Sequence, residues 1–210
     1  MTTATAGPLA ARATLADLLP RSRVRTVALV VGFALLTALA AQITIPLPWT
    51  PVPLTGTTFA VLLAGATLGW RAGAASQLLY VVLGAAGLPF YQGGESGWTY
   101  ATGVTGGYLL GFVVAAAAVG YLAERGQDRS VATSIPAMLA GTAVVYLFGV
   151  VWLAHVLGVD AVTALTQGML PFVIGDSLKL VAAGALLPLA WRLAPSSGKS
   201  SSEELPENPL

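Results

Sequence analysis

Of the ten Lys and Arg residues in the chain, one alone, Lys179, lies inside an apolar run, and Asp176 stands three positions before it in the same run, 168–192. On a helix this spacing puts both side chains on one face. An unpaired charge there costs about 2.5–3.5 kcal/mol on insertion scales, so the two are expected to face the bundle interior or a wet cavity. They can hold a polar ligand, or they can form an internal ion pair that only fixes helix packing. Both readings stay open at this point. With the helix starting near Gly168, a rise of 1.5 Å per residue puts Asp176 roughly 12 Å and Lys179 roughly 16 Å below the outer end, about mid-bilayer. Phe172, Asp176, Lys179, Ala183 and Leu186 then form one stripe, with an aromatic above the charges.

Other chemistries fail on their own residues. Ser177 and Lys179 are two apart and point to different faces, which argues against a Ser–Lys nucleophile pair. Gly198-Lys199-Ser200 has the ending of a phosphate-binding loop, but Leu193 occupies the position of the required earlier glycine. One histidine, His155, and no cysteine supply no zinc-ligand spacing. His155 reads as interfacial. An enzyme is not expected, and no metal or cofactor is called for.

The elements that must position the pair follow from composition. Hydrophobic residues make up 56% of the chain, charged residues 9%, and the mean hydropathy is +0.78. A soluble domain carries about 25% charged residues. We expect an all-α integral membrane protein, a single bundle of six transmembrane helices with both termini cytoplasmic. The apolar runs are 26–45, 55–70, 72–88, 103–123, 131–157 and 168–192, the second and third divided only at Arg71. The corresponding domains are a cytoplasmic N-terminal segment (1–25), a substrate-binding membrane domain (26–192) and a disordered cytoplasmic tail (193–210). The first twenty residues are likewise expected to be disordered.

Charge placement supports the division. Arg12, Arg21, Arg23, Arg25, Arg71, Arg125, Arg129, Arg192 and Lys199 all fall on one side, whereas loops 46–54, 89–102 and 158–167 contain Glu95 and Asp160 and no Lys or Arg. Positive loops lie on the cytoplasmic side. A competing reading takes Arg21–Arg25, the run 27–36 and Ala38-Leu39-Ala40 as a secretory signal, but the apolar stretch continues to Ile45 and its removal would break the charge pattern. Loop 89–102, dense in Gly and aromatics, suits a lid or an interfacial belt. Loop 46–53, with four prolines and Trp49, reads as a rigid rim.

Several motifs in order carry a resemblance across about 30–192. They are Gln42-Ile43 leading to Pro51-Val52-Pro53; Thr58-Phe59-Ala60-Val61-Leu62-Leu63-Ala64-Gly65; Gly87-Leu88-Pro89; Thr105-Gly106-Gly107-Tyr108-Leu109-Leu110-Gly111-Phe112; Gly149 with Trp152-Leu153; and Pro171-Phe172 with Gly175-Asp176 and Lys179. This pattern resembles the BioY family, the biotin-specific substrate-capture (S) subunits of energy-coupling-factor (ECF) transporters. The resemblance implies a plasma-membrane protein that captures biotin from outside. Its partners would be a transmembrane coupling protein and a cytoplasmic ATPase pair. It also implies a site of Asp176 and Lys179, lined by Thr55, Thr57, Tyr91, Gly106 and Tyr108, with Lys179 directed at either the ureido oxygen or the valerate carboxylate. Ala34 and Ala38 resemble the small-residue motif by which such subunits dock on the coupling protein. Thr57 stands where many relatives carry Gln, and Glu95 and Trp98 interrupt an outer glycine run. The competing functions are a secondary transporter using Asp176 as a proton-coupled carboxylate and a capture subunit for a different vitamin.

Overall fold

The computed structural model describes residues 13–20 and 22–193. The first helix, α1 (Arg23–Gln42), starts on an Ser22 cap whose hydroxyl accepts from the Arg25 N–H at 3.0 Å. It leads into a two-stranded antiparallel ribbon, β1 (Thr44–Ile45) with β2 (Leu54–Thr55), in which Thr44 faces Thr55. The proline-rich segment 46–53 is the loop of this ribbon, and its Thr50 hydroxyl donates to the Gln167 carbonyl at 2.6 Å. The rigid rim is therefore tied to the far end of the chain.

Next comes α2 (Thr57–Ala85), which reverses direction at Gly69, where φ is 81° and ψ 176°. That left-handed φ favours glycine. The reversal is sharp enough that a Cβ on Gly73 would lie 2.8 Å from the Gly65 Cα, although eight residues of unbroken helix would separate them by roughly 12 Å. The two apolar runs flanking Arg71 are thus two antiparallel arms, 57–68 and 70–85, as the six-run reading expects. A Cβ on Gly120 would sit 2.4 Å from the Gly69 carbonyl carbon, so the elbow closes only against a bare backbone.

The chain continues through α3 (Trp98–Ala101), α4 (Gly106–Ala123), α5 (Val131–Leu157), α6 (Ala161–Gly168) and α7 (Val173–Leu193). Among the described residues, four stretches are long and apolar enough to cross a membrane: α1, α4, α5 and Ala161–Leu193. The arms of α2 are shorter, roughly 18 and 24 Å, and lie at the bundle centre, packed most extensively against α4. With them the described residues contain six long helical segments, and the chain is a multi-pass membrane protein.

At one end the chain's charges meet. The Trp70 N–H donates to Glu124 at 3.1 Å, Arg129 donates to the Ala13 carbonyl at 3.1 Å, and the Trp191 indole donates to Asp128 at 2.6 Å. Arg129 also lies over the Trp191 ring, 4.5 Å from its centre. Both ends of the described chain therefore sit at the same end of the bundle.

Several expectations change. Residues 15–18 form a 3-10 turn held by a Thr14–Asp17 capping box, with Thr14 and Ala16 buried, because this segment packs on the α2 elbow; this stretch is folded, contrary to the disorder expected of the first twenty residues. Residues 1–12, Arg21 and 194–210, and with them the tail and Gly198-Lys199-Ser200, lie outside the described residues. The last helix does not start at Gly168. It is preceded by α6, capped by Asp160, and by a 3-10 turn at Leu170–Phe172 that includes Pro171. Asp176 is consequently in the first turn of α7, not 12 Å along a helix from Gly168. The inward stripe also ends differently: Leu187 is buried and Leu186 exposed, because the stripe follows i+4 from Ala183.

Candidate functional site: a cavity over the Asp176–Lys179 pair

The α6–α7 bend delivers Asp176 to the wall of a cavity bounded by the β-ribbon, both arms of α2, α4, α5 and the outer loop. An acid in the first turn of a helix is favoured by the helix dipole. Asp176 is 6% exposed, and both of its oxygens have partners. Lys179 Nζ donates to Oδ1 at 2.7 Å, and the Tyr146 hydroxyl donates to Oδ2 at 2.6 Å. Lys179 Nζ also donates to the Thr55 carbonyl at 2.5 Å, so the ribbon's last residue holds the lysine toward the cavity. The Thr55 and Thr57 hydroxyls are 2.6 Å apart.

The cavity is narrow in this structure, about 70 Å³. Its apolar surface comes from Leu54, Leu109, Phe112, Val145 and Phe172, with Tyr80, Tyr91, Tyr100 and Tyr108 around them. Tyr91 is fully buried; its ring is stacked on Tyr100 at 4.9 Å and edge-on to Tyr80 at 5.7 Å, and its hydroxyl donates to the Val81 carbonyl at 2.7 Å. Burial, with Tyr100 adding to it, pushes the Tyr91 phenol up to about 12. It is a neutral wall.

Tyr108 donates to the Gly168 carbonyl at 2.6 Å, and a Cβ on Gly149 would come within 2.5 Å of its ring. This contact pins the α6–α7 bend to α4. The outer loop divides its aromatics: Tyr91 and Tyr100 turn inward as cavity wall, whereas Trp98 is exposed, as is Trp49 in the ribbon loop.

Six of the residues expected at the site, Asp176, Lys179, Thr55, Thr57, Tyr91 and Tyr108, line this one cavity. Gly106 does not. A Cβ there would meet the Ala101 carbonyl and the Trp152 indole, 2.5 and 2.9 Å away, so the glycine admits Trp152, whose N–H bonds to Gly103 at 2.9 Å. Ala34 and Ala38, expected at a docking surface, are buried. They belong to the inward stripe with Thr37, which hydrogen-bonds Gln77 of α2 at 3.2 Å. The face that α1 leaves open carries Val24, Val27, Ala28, Val31, Gly32 and Leu35 instead.

Tyr146, Tyr80 and Tyr100 were missed from sequence. Tyr146 carried a readable signal: a phenol well inside an apolar run, away from the interfacial belts, needs a buried partner. Which partner it takes depends on the α5–α7 packing. Among the described residues no group of three or more His, Cys, Asp or Glu could hold a metal.

Fold and cavity together define a polytopic helical membrane protein with an amphiphilic cavity beside one end of the bundle. The family model described as "BioY family" matches residues 11–196, and the chain belongs to that family. It is 38% identical over 161 residues to the "Probable biotin transporter BioY" of Pyrococcus horikoshii, covering 77% of this chain and 93% of that protein. With the "Biotin transporter BioY" of Rhizobium etli it shares 36% identity over 160 residues, 73% and 85% of the two chains. The crystal structure of the "S-component for biotin from an ECF-type ABC transporter" superposes with a TM-score of 0.74 at 23% identity, covering 82% of this chain and 95% of that one. That likeness supports the fold.

Proposed function

We propose that this chain is the substrate-specificity subunit of a biotin importer in the plasma membrane. It takes biotin into the cavity from outside, with both termini in the cytoplasm, and delivers it together with a separate transmembrane coupling protein and ATPase pair. The observation that carries this reading is the union of family membership with the polar anchor: one neutral Asp176–Lys179 pair in an otherwise apolar and aromatic cavity. Biotin presents the complementary surfaces, a polar ureido ring on a bicyclic and aliphatic body. Van der Waals contact with the rings and aliphatic walls would hold the body, and the pair would orient the head.

Charge supports the orientation. The described Arg residues crowd the end opposite the cavity mouth, and the segments around the mouth carry Glu95 and Asp160 without Lys or Arg. The protein performs no chemistry on its ligand in this reading, and its relatives are named as transporters. If α1 meets the coupling protein, it does so through Val24, Ala28 and Gly32 and their neighbours, which are exposed, and not through Ala34 and Ala38.

The test is equilibrium binding of biotin to purified protein in detergent, beside Asp176→Asn and Lys179→Met variants shown to be folded. Saturable binding by the wild type, lost in both variants, is the expected result; well-folded wild type that binds no biotin overturns the assignment. Uptake in cells with and without the ATPase pair separates this reading from a proton-coupled carrier, which would import biotin without ATPases and stop when the proton gradient collapses.

A further inference from the structure

We propose that the wedge between α5, α6 and α7 is a lipid site, which takes one acyl chain of a membrane phospholipid and seats it against the back of the Tyr146–Asp176 bond. This site is separate from the cavity described above, and it does not rest on the biotin reading.

The wedge follows from how the last helices pack. At the end remote from the mouth α5 and α7 are in contact: a Cβ on Gly184 would lie 3.0 Å from the Ile135 side chain, and Met138, Leu180 and Leu187 belong to the apolar cluster there. Toward the mouth a space of about 690 Å³ opens between α5, α6 and α7. Its floor is Val150, Ala164 and Leu180, all buried, and its rims are Leu139, Leu147 and Val151 of α5 with Leu165 and Val173, all exposed.

The polar groups of the wedge are already satisfied. The Thr142 hydroxyl donates to the Met138 carbonyl at 3.0 Å, the Ser177 hydroxyl to the Val173 carbonyl at 2.6 Å, and the Tyr146 hydroxyl to Asp176. Both Asp176 oxygens have partners, and none of the lining residues is a Lys or Arg that would hold a phosphate. Burial and dispersion are what this surface offers, and they select hydrocarbon over a polar solute. The chain of a lipid, not its headgroup, is the part recognised.

What covers the wedge is decided by where it lies. Both α5 and the Ala161–Leu193 stretch are apolar enough to cross the membrane. Beside the rim, α7 carries Ile174, Leu178 and Val181 as further exposed apolar side chains, so the wedge is continuous with the surface that meets lipid. Its α5 wall, from Leu139 to Ala154, is roughly 22 Å long, and one leaflet of the hydrocarbon core is about 15 Å deep. A chain lying along it keeps contact through the whole leaflet, and on three sides where a flat helix surface gives one. Tyr146 and Asp176 line both the wedge and the cavity. Their hydrogen bond is the partition between the two, and the chain keeps water off its lipid side.

The test is photolabelling of the intact protein in nanodiscs of phosphatidylglycerol doped with a phosphatidylglycerol that carries a diazirine within one acyl chain, the adducts being mapped by mass spectrometry. Adducts on Leu147, Val151 and Val173 are expected to exceed those on Leu39 of α1 and Leu110 of α4, which are also apolar and exposed, by about threefold or more. Ala143→Trp and Ala154→Phe, which fill the wedge at two levels, should bring them down to the Leu110 level in protein whose melting temperature is unchanged. Equal labelling of the wedge and the flat surfaces overturns the proposal, as does labelling that survives both fillings. Wedge residues labelled less than Leu110 would mean that a second copy of the chain covers them, and would overturn it too. If a filled variant fails to fold, the wild-type comparison decides by itself.

Discussion

Two buried aspartates, at opposite ends of the bundle, show what one residue type does in two settings. Asp176 is 6% exposed and Asp128 1%. Asp176 has a cation and a phenol on its two oxygens and lines the cavity. Asp128 accepts the Trp191 indole N–H and sits between the α4–α5 turn, the N-terminal segment and the end of α7. Both keep unused acceptor capacity, Asp176 on the cavity wall and Asp128 on a buried Oδ1 that has no partner, while Asp128 Oδ2 bonds to another part of the chain. Burial alone does not separate the two carboxylates; access to the cavity does. Ligand affinity should therefore respond to changes around Asp176, and stability to changes around Asp128 and the Gly69 elbow.

The largest effect expected is on binding. Asp176→Asn should weaken biotin at least a hundredfold by calorimetry or label competition, with the melting temperature little changed, because an amide keeps the shape but loses the charge that strengthens a hydrogen bond. Unaltered affinity would make Asp176 as structural as Asp128 and end the contrast.

Gly120→Ala should act the other way. Its Cβ would fall 2.4 Å from the elbow backbone at Gly69, and overpacking against backbone typically costs about 1–3 kcal/mol. Thermal unfolding in detergent should show a clear loss of stability, while the protein that remains folded binds biotin normally.

Tyr146→Phe sharpens the comparison at the cavity end. It keeps the ring and removes the donor to Asp176 Oδ2, so affinity should fall about tenfold, the scale of one hydrogen bond to a charged group. A variant as tight as wild type would show that Lys179 alone holds the carboxylate.

At the other end, Asp128→Ala should destabilise by about 1–3 kcal/mol, the cost of leaving the Trp191 N–H without a partner. Asp128→Asn, which retains an acceptor, should cost far less. Burial raises the Asp128 pKa above the usual carboxylate range, opposed by the Trp191 bond and the Arg129 charge. A raised carboxylate pKa favours the folded state at low pH. That contribution is lost as pH climbs from the ordinary value near 3.9 through the raised one. Asp128→Asn should remove this part of the pH dependence of unfolding and leave biotin binding unchanged.

Much of this was legible in the chain. Hydropathy and the one-sided distribution of Arg separated two short spans that length alone could not, and the structure shows the reason: a glycine elbow at Gly69 backed by Gly65, Gly73 and Gly120. Asp176 and Lys179 stood out because unpaired charge is costly in lipid. The structure differs from the expected placement where a side chain's environment depends on a neighbouring helix. Gly106 was read as lining but makes room for Trp152. Ala34 and Ala38 have the composition of a docking motif, yet which side of α1 faces inward is set by its packing on Gln77. Tyr146 went unnoticed because its value lies in reaching Asp176, thirty residues along the chain.

Sequence by itself determined that the chain lives in a membrane, roughly where its long helices lie apart from the broken start of the last one, and which pair of charges must be buried. These are local properties, fixed by transfer free energy, helical period and the cost of an unpaired ion. Tertiary structure alone decided which faces meet, that the α6–α7 bend puts Asp176 in the first turn of its helix, and that a ribbon carbonyl and a phenol from α5 complete the site. Such contacts join residues far apart in the chain, and neither period nor composition specifies which distant partner a buried polar group will find.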